Sequence, residues 1–160
     1  MYKSMLCAGL LALVASQFAN AANCIWTGGS LANSNWSSAA NWNNCGGAHA
    51  VPVDGDTLGF PDGVPRLTNT NDIVKLIAAK LVIAGPVNLS GLPIGLSDGI
   101  AATVPLASSS PVVNLNIVLE TNAQTFQCSG AHKALTISGT VSLNGQALTL
   151  DSACNIFLTG

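Results

Sequence analysis

Charge is scarce in this chain. Lys and Arg number 5 and Asp and Glu 7 among 160 residues, 8% in all, with a formal net charge of −2. Nucleic-acid binding needs a basic stripe that tracks phosphates, and so few cations cannot build one, so no nucleic-acid partner is expected. Arg66 is the only Arg and Glu120 the only Glu. Glycoside hydrolysis requires two carboxyl groups facing one cleft, yet Glu120, Asp98 and Asp151 are scattered along the sequence. A lyase acting on acidic polysaccharide relies on basic residues, and Lys75, Lys80 and Lys133 do not cluster with Arg66. There is no Gly-x-Ser-x-Gly elbow and no phosphate-cradling loop. Gly28-Gly29-Ser30 reads as a turn. Catalysis, a cofactor and a resident metal are therefore not expected.

Long apolar runs are also lacking. Met5–Val14 is too short to span a bilayer. It follows Lys3 and precedes Ala19-Asn20-Ala21, a small-x-small cleavage site, so residues 1–21 read as an export leader and the mature chain begins near Ala22. Ser16, Gln17 and Asn20 end the run too early for a membrane anchor. Lipid attachment at Cys24 is disfavoured because Asn23, not a small residue, precedes it. An exported chain is expected at the cell surface or outside the cell, with the periplasm as the alternative, and with no membrane span after maturation.

Apart from Cys7 in the leader, four cysteines are present: Cys24, Cys45, Cys128 and Cys154. An even number in an exported chain indicates disulfides, and four allow three connectivities. Cys24–Cys45 with Cys128–Cys154 is favoured because each pair closes a local loop. Each closure is worth roughly 3 kcal/mol on a chain-entropy model.

What the chain has in abundance is alternation. Leu81-x-Ile83-x-Gly85-x-Val87-x-Leu89-x-Gly91, then Ile94 and Leu96, returns as Leu135-x-Ile137-x-Gly139-x-Val141-x-Leu143-x-Gly145, then Leu148 and Leu150. Alternating apolar and small polar residues mark half-buried strands. Their return at a long interval, 54 residues here, suggests strands stacked coil on coil. Strands are expected at Lys80–Ala84, Val87–Leu89, Ile94–Leu96, Val112–Leu119, Thr125–Cys128, Leu135–Ser138, Thr140–Leu143, Leu148–Leu150 and Asn155–Leu158. Gly85, Gly91, Gly139 and Gly145 fall where the chain turns. Asp72–Lys80 suits a capped helix or a strand running into Leu81, and the β context favours the strand.

The inward positions should be Leu81, Ile83, Val87, Leu89, Ile94, Leu96, Val113, Leu115, Ile117, Leu119, Leu135, Ile137, Val141, Leu143, Leu148 and Leu150. A solenoid coil cannot bury its apolar face alone, so its ends need caps. The loop-rich segment 22–72 holds all three Trp and is placed to cap the first coil, leaving 73–160 for the coils. The sequence stops at Thr159-Gly160 just after a strand, which predicts either a truncated chain or an edge that pairs with something else.

One local signature is specific. Cys24-Ile-Trp26-Thr-Gly28-Gly29 leads to Asn35-Trp36-Ser37-Ser38-Ala39-Ala40-Asn41-Trp42 and then Val51-Pro52-Val53-Asp54-Gly55-Asp56-Thr57-Leu58-x-Phe60-Pro61, with Leu67-Thr68-Asn69-Thr70-Asn71-Asp72 after it. This opening resembles the N-terminal part of bacterial secreted proteins with autotransporter-associated β-strand repeats. The resemblance is close from Trp26 to Asp72 and loose beyond. It implies a right-handed parallel β-helix exposed at the cell surface or secreted, often discussed as adhesive. Neither a C-terminal membrane barrel nor a sorting tail is recognisable, and Cys24 and Cys45 look like additions to the pattern.

Trp26, Trp36 and Trp42 admit two roles. Exposed and coplanar, they would stack on sugar rings as a carbohydrate-binding platform. Buried, they would cover the open end of the helix with their N–H groups bonded to Asn or backbone, and this second role is the favoured one. Asp54, Asp56 and Asp62 lack the spacing of a calcium loop and read as turns. The pairs Cys45/His49 and Cys128/His132 suggest zinc only on paper, because an oxidising compartment turns such thiols into disulfides. The expected molecule is all-β, a right-handed parallel β-helix with a loop-rich, Trp-containing N-terminal cap, with an antiparallel β-sandwich as the structural alternative. Its expected role is a structural or adhesive surface module without catalytic activity, whose partners are surface glycans or host and cell-surface molecules. A Trp-based carbohydrate-binding module and a β-helical lyase or hydrolase are the alternatives.

Overall fold

The computed structural model describes residues 21–45, 50–105, 108–130 and 133–160. The leader, apart from Ala21, lies outside them, as do His49 and His132. The described strands are β1 (Asn23–Trp26), β2 (Trp42–Asn43), β3 (Thr57–Phe60), β4 (Thr68–Asn71), β5 (Ile77–Ile83), β6 (Asn88–Gly91), β7 (Ile94–Thr103), β8 (Val112–Asn114), β9 (Ile117–Leu119), β10 (Gln124–Ser129), β11 (Ala134–Ile137), β12 (Val141–Ser142), β13 (Leu148–Ser152) and β14 (Asn155–Leu158). They form a parallel β-solenoid of about 4 turns. The chain passes back and forth between a nine-stranded sheet and a five-stranded sheet formed by β4, β6, β8, β11 and β14.

Parallel pairing puts like on like. One inward rung of the larger sheet runs Cys24, Leu58, Leu81, Ile100, Phe126, Leu150. In the smaller sheet Asn69, Leu89, Val113, Ile137 and Leu158 share a rung. A third runs Ile94, Ile117, Val141. Burying each Leu or Ile contributes about 1.5–3 kcal/mol. Every rung borrows its cover from the coils on either side, so a coil is stable only with its neighbours.

The solenoid is as expected, but the 54-residue repeat is not its period. From Leu58 onward, successive members of the Leu81 rung are 19 to 26 residues apart. Leu81–Ile83 lies in the nine-stranded sheet and Leu135–Ile137 in the five-stranded sheet. Leu96 pairs with Leu119, whereas Leu150 pairs with Phe126. Alternation has a period of two and states only which side chains face inward. Any wall flanked by tight turns can repeat it, so the match registered wall against wall rather than coil against coil.

Three boundaries also shift. The solenoid does not begin at residue 73, since β1, β3 and β4 already lie in its ladders. The stretch before β5 is no helix: Val74 and Lys75 turn, with Lys75 at φ 58°, and the strand starts at Ile77. Leu143 and Leu150, expected inside, are 46% and 47% exposed, because no described coil lies beyond β12 and β13. Phe157 and Leu158 on β14 are likewise about half exposed.

At the other end β2 pairs antiparallel with β1 and closes the ladder. Both favoured cysteine pairs are at disulfide distance. Cys24 and Cys45 have Cα atoms 4.3 Å apart, and Cys128 and Cys154 5.5 Å. The first ties the cap to β1. The second ties the turn between β13 and β14 to β10 one coil back.

Candidate functional site

The three indoles form a closed cluster. Trp26 and Trp36 are fully buried and Trp42 is 7% exposed. Trp42 meets Trp26 edge-on at 5.1 Å and Trp36 at 5.8 Å, with interplanar angles of 81° and 85°. Phe60 packs beneath all three. Each N–H has a partner: Trp26 donates to the Arg66 carbonyl (2.9 Å), Trp36 to Asn69 Oδ1 (2.7 Å) and Trp42 to the Trp36 carbonyl (2.8 Å). A sugar platform needs free and roughly coplanar faces. These rings are buried, and Trp42 stands nearly perpendicular to the other two, so the geometry fits the end-cap role favoured for Trp26, Trp36 and Trp42 and does not fit the ligand-binding alternative.

Buried amides brace this cap. Asn41 Nδ2 donates to the carbonyls of Asn33 and Asn35 while its Oδ1 accepts from Ser30 N. Asn71 Nδ2 donates to Leu92 O and its Oδ1 accepts from Ile73 N. Asn69 Nδ2 is left without a partner within the protein. Composition alone does not separate these buried Asn from those that face water. The available signal was phase, because Asn69 and Asn71 alternate with Thr68 and Thr70 and fall on the inward side of β4.

The carboxylates serve turns and isolated contacts. Asp54 Oδ1 accepts from Ile77 N, and Asp62 accepts from Gly63 N and Ser108 Oγ. Asp56 is fully buried and accepts from Val53 N and Ala22 N. Asp72 accepts from Ser37 N and Oγ, fastening the cap loop to the corner after β4. Among the described residues no three His, Cys, Asp or Glu side chains gather as a metal site. Asp98 pairs with Lys80 at 2.6 Å, while Asp151 contacts Gln127.

The sheet faces differ in character. Outward on the five-stranded sheet, Thr68, Asn88, Val112, Thr136 and Phe157 line up across strands, beside a second rank of Thr70, Ser90 and Asn114. Strands lie about 4.8 Å apart and same-face neighbours along a strand about 6.6 Å apart. The two ranks therefore make an uncharged face of hydroxyl and amide groups, interrupted by Val112 and, on the edge strand β14, by the half-exposed Phe157. On the larger sheet Ile25, Gly59, Val82 and Ala101 share an outward rung that ends in Gln127 and Asp151. Gly59 leaves a shallow apolar hollow of about 140 Å³ beside Ile25, Pro61, Val82 and Ala84. A cleft of about 300 Å³ opens where Gly95 separates Ile77 from Val118, with Lys75 and Glu120 at its margin.

Comparison of the chain with protein-family models, with characterised proteins and with solved structures finds no match. No helix among the described residues is long and apolar enough to cross a membrane. The two cysteine pairs at disulfide distance are compatible with an extracellular or periplasmic protein.

Proposed function

We propose that the chain is an exported structural or adhesive module of a bacterial β-helical surface protein, and that it works through the outer face of the five-stranded sheet. The observation that carries this reading is the uncharged double rank Thr68/Asn88/Val112/Thr136/Phe157 and Thr70/Ser90/Asn114. Such a face offers several weak hydrogen-bonding groups beside two apolar side chains and no deep pocket. It suits an extended, neutral, repeating partner, for which a surface glycan is the nearest chemistry, and affinity then grows with the number of contacts made at once. Export is supported by Lys3, the Met5–Val14 run and Ala19-Asn20-Ala21, and by two disulfide pairs that need an oxidising compartment. The resemblance of Trp26–Asp72 to the opening of autotransporter-associated repeat proteins supports a place at the cell surface.

The test is binding of the fluorescently labelled protein to whole cells and to a panel of immobilised neutral polysaccharides. Asn114→Lys with Thr136→Lys places charge on the five-stranded face without entering the core. The expected result is at least a tenfold loss of retained protein with an unchanged thermal midpoint, a tenfold loss being about 1.4 kcal/mol. Equal retention of variant and parent would remove the five-stranded face from the reading.

A further inference from the structure

Asp56 is a carboxylate in an unusual position. It is 0% exposed. Its Oδ2 accepts from Val53 N at 3.0 Å, and its Oδ1 accepts from Ala22 N at 2.8 Å. Cys24 Sγ, committed to the disulfide with Cys45, lies 3.3 Å from Oδ2 and brings no positive charge. Among the described residues the one ion pair is Lys80–Asp98, so no described Lys, Arg or His side chain answers the charge of Asp56. Removing an ionised carboxylate from water without a counter-ion is costly, and two backbone N–H groups offset only part of that cost.

The missing cation can come from the chain's own processing. The small-x-small tripeptide Ala19-Asn20-Ala21 places the scissile bond directly before Ala22. Ala22 is also the residue whose nitrogen touches Asp56. The two observations are independent, since one is a sequence pattern read by a peptidase and the other an atomic contact, and they meet on one nitrogen. We propose that removal of the leader between Ala21 and Ala22 creates an α-ammonium group that forms a partly buried ion pair with Asp56, locking β1 onto β3 in the mature chain only. This rests on reading residues 1–21 as an export leader. In the cleavage, water supplies its hydroxyl to the Ala21 carbonyl carbon and a proton to the departing Ala22 nitrogen. That amine takes a second proton from solvent.

The surroundings suit this arrangement. Ala22 is partly exposed and Ala21 is exposed, so a newly formed terminus can stay in place and keep water on its other donors. The Ala22 carbonyl already accepts from Thr57 N at 2.8 Å, one residue ahead of the Asn23–Thr57 pairing. Asp56 is itself held from both sides, its N–H donating to Val53 O and its carbonyl accepting from Ala79 N. Before cleavage Ala22 offers one neutral N–H. Afterwards it offers a full charge and three donors at the same point. Processing thus stabilises the first rung of the solenoid at the stage when the exported chain must fold.

N-terminal sequencing of protein recovered from the periplasm or medium tests the site of cleavage, and Ala22 is the expected first residue. Export with a different first residue would overturn the pairing while leaving the functional reading intact. Refolded chains beginning at Ala22 and at Ala21 then test the contact, since the longer chain keeps every side chain but moves the ammonium by one residue. In the folded Ala22 form the α-amine should react with an acetylating reagent at least about tenfold more slowly than in urea. The Ala21 form should show no such protection and a lower urea midpoint. That difference in midpoint should vanish in an Asp56→Asn background, where Ala22 N keeps an acceptor but loses the charge. Equal acetylation of the two folded forms, or a midpoint difference that persists in the Asp56→Asn background, would overturn the proposal.

Discussion

Residue by residue, the interior shows how few side chains carry the stability of the first coil. Trp36 fills space over Phe60, meets Trp42 edge-on and gives its N–H to the otherwise buried Asn69. Trp36→Ala should therefore cost about 3–5 kcal/mol, read as a fall in urea midpoint. Burial also predicts an optical signature: blue-shifted emission, little quenching by iodide and no response to soluble glycans. A saturable glycan-dependent shift would return the indoles to the surface. Asp56 and Asn69 show where composition misleads. Both are polar and both are fully buried, because a side chain's fate follows its phase in the strand and the partners waiting there. The apolar alternation was legible to the eye, so Leu81, Ile83, Leu89 and Ile137 could be placed inside from sequence. The partners of Asn69, Asn71 and Asp56 lie 2 to 34 residues away, and no local pattern announces the distant ones.

Among the elements, turns and strands do separate jobs. Strand interiors choose inside from outside, while turns decide which wall comes next. Gly91 ends β6 at φ 113°, where an added Cβ would lie 2.9 Å from the backbone nitrogen of Asn71 one coil below. Gly91→Ala should cost more than about 1 kcal/mol, because both the conformation and the close approach exclude a side chain. A thermal midpoint equal to that of the parent would show that the corner can relax. The Asp72–Lys80 stretch lay between helix and strand on propensity alone. Pairing of Ile77 with Gly95 and of Lys80–Ile83 with β3 decided it, which is a tertiary choice that single-sequence preference cannot make.

For the whole molecule, stability should be graded along the solenoid axis, because a coil with neighbours on both sides is worth more than one with a single neighbour. The last described coil, β12 to β14, keeps Leu143, Leu150, Phe157 and Leu158 about half exposed. Cys128–Cys154 ties it to β10. Replacing both cysteines by Ser should remove roughly 3 kcal/mol on the chain-entropy model. Hydrogen exchange should localise the loss, with amides of β13 and β14 exchanging faster while those around Leu81 and Ile100 hold. Uniform acceleration along the axis would mean that the solenoid opens as one unit.

The sequence alone determined that short, alternating strands separated by tight turns would bury one face, that four cysteines could close two local loops, and that charge is too sparse for a phosphate-tracking surface. Those properties are local or compositional and need no knowledge of neighbours. Only the tertiary structure decided which strand lies on which. It replaced an apparent 54-residue period by coils of 19 to 26 residues from Leu58 onward, chose the buried plug over the sugar platform for the three indoles, and set the nitrogen of Ala22 on the carboxylate of Asp56. The reason is that alternation specifies a face but not an address. Stacking along an axis assigns the address, through contacts between residues that the chain itself keeps far apart.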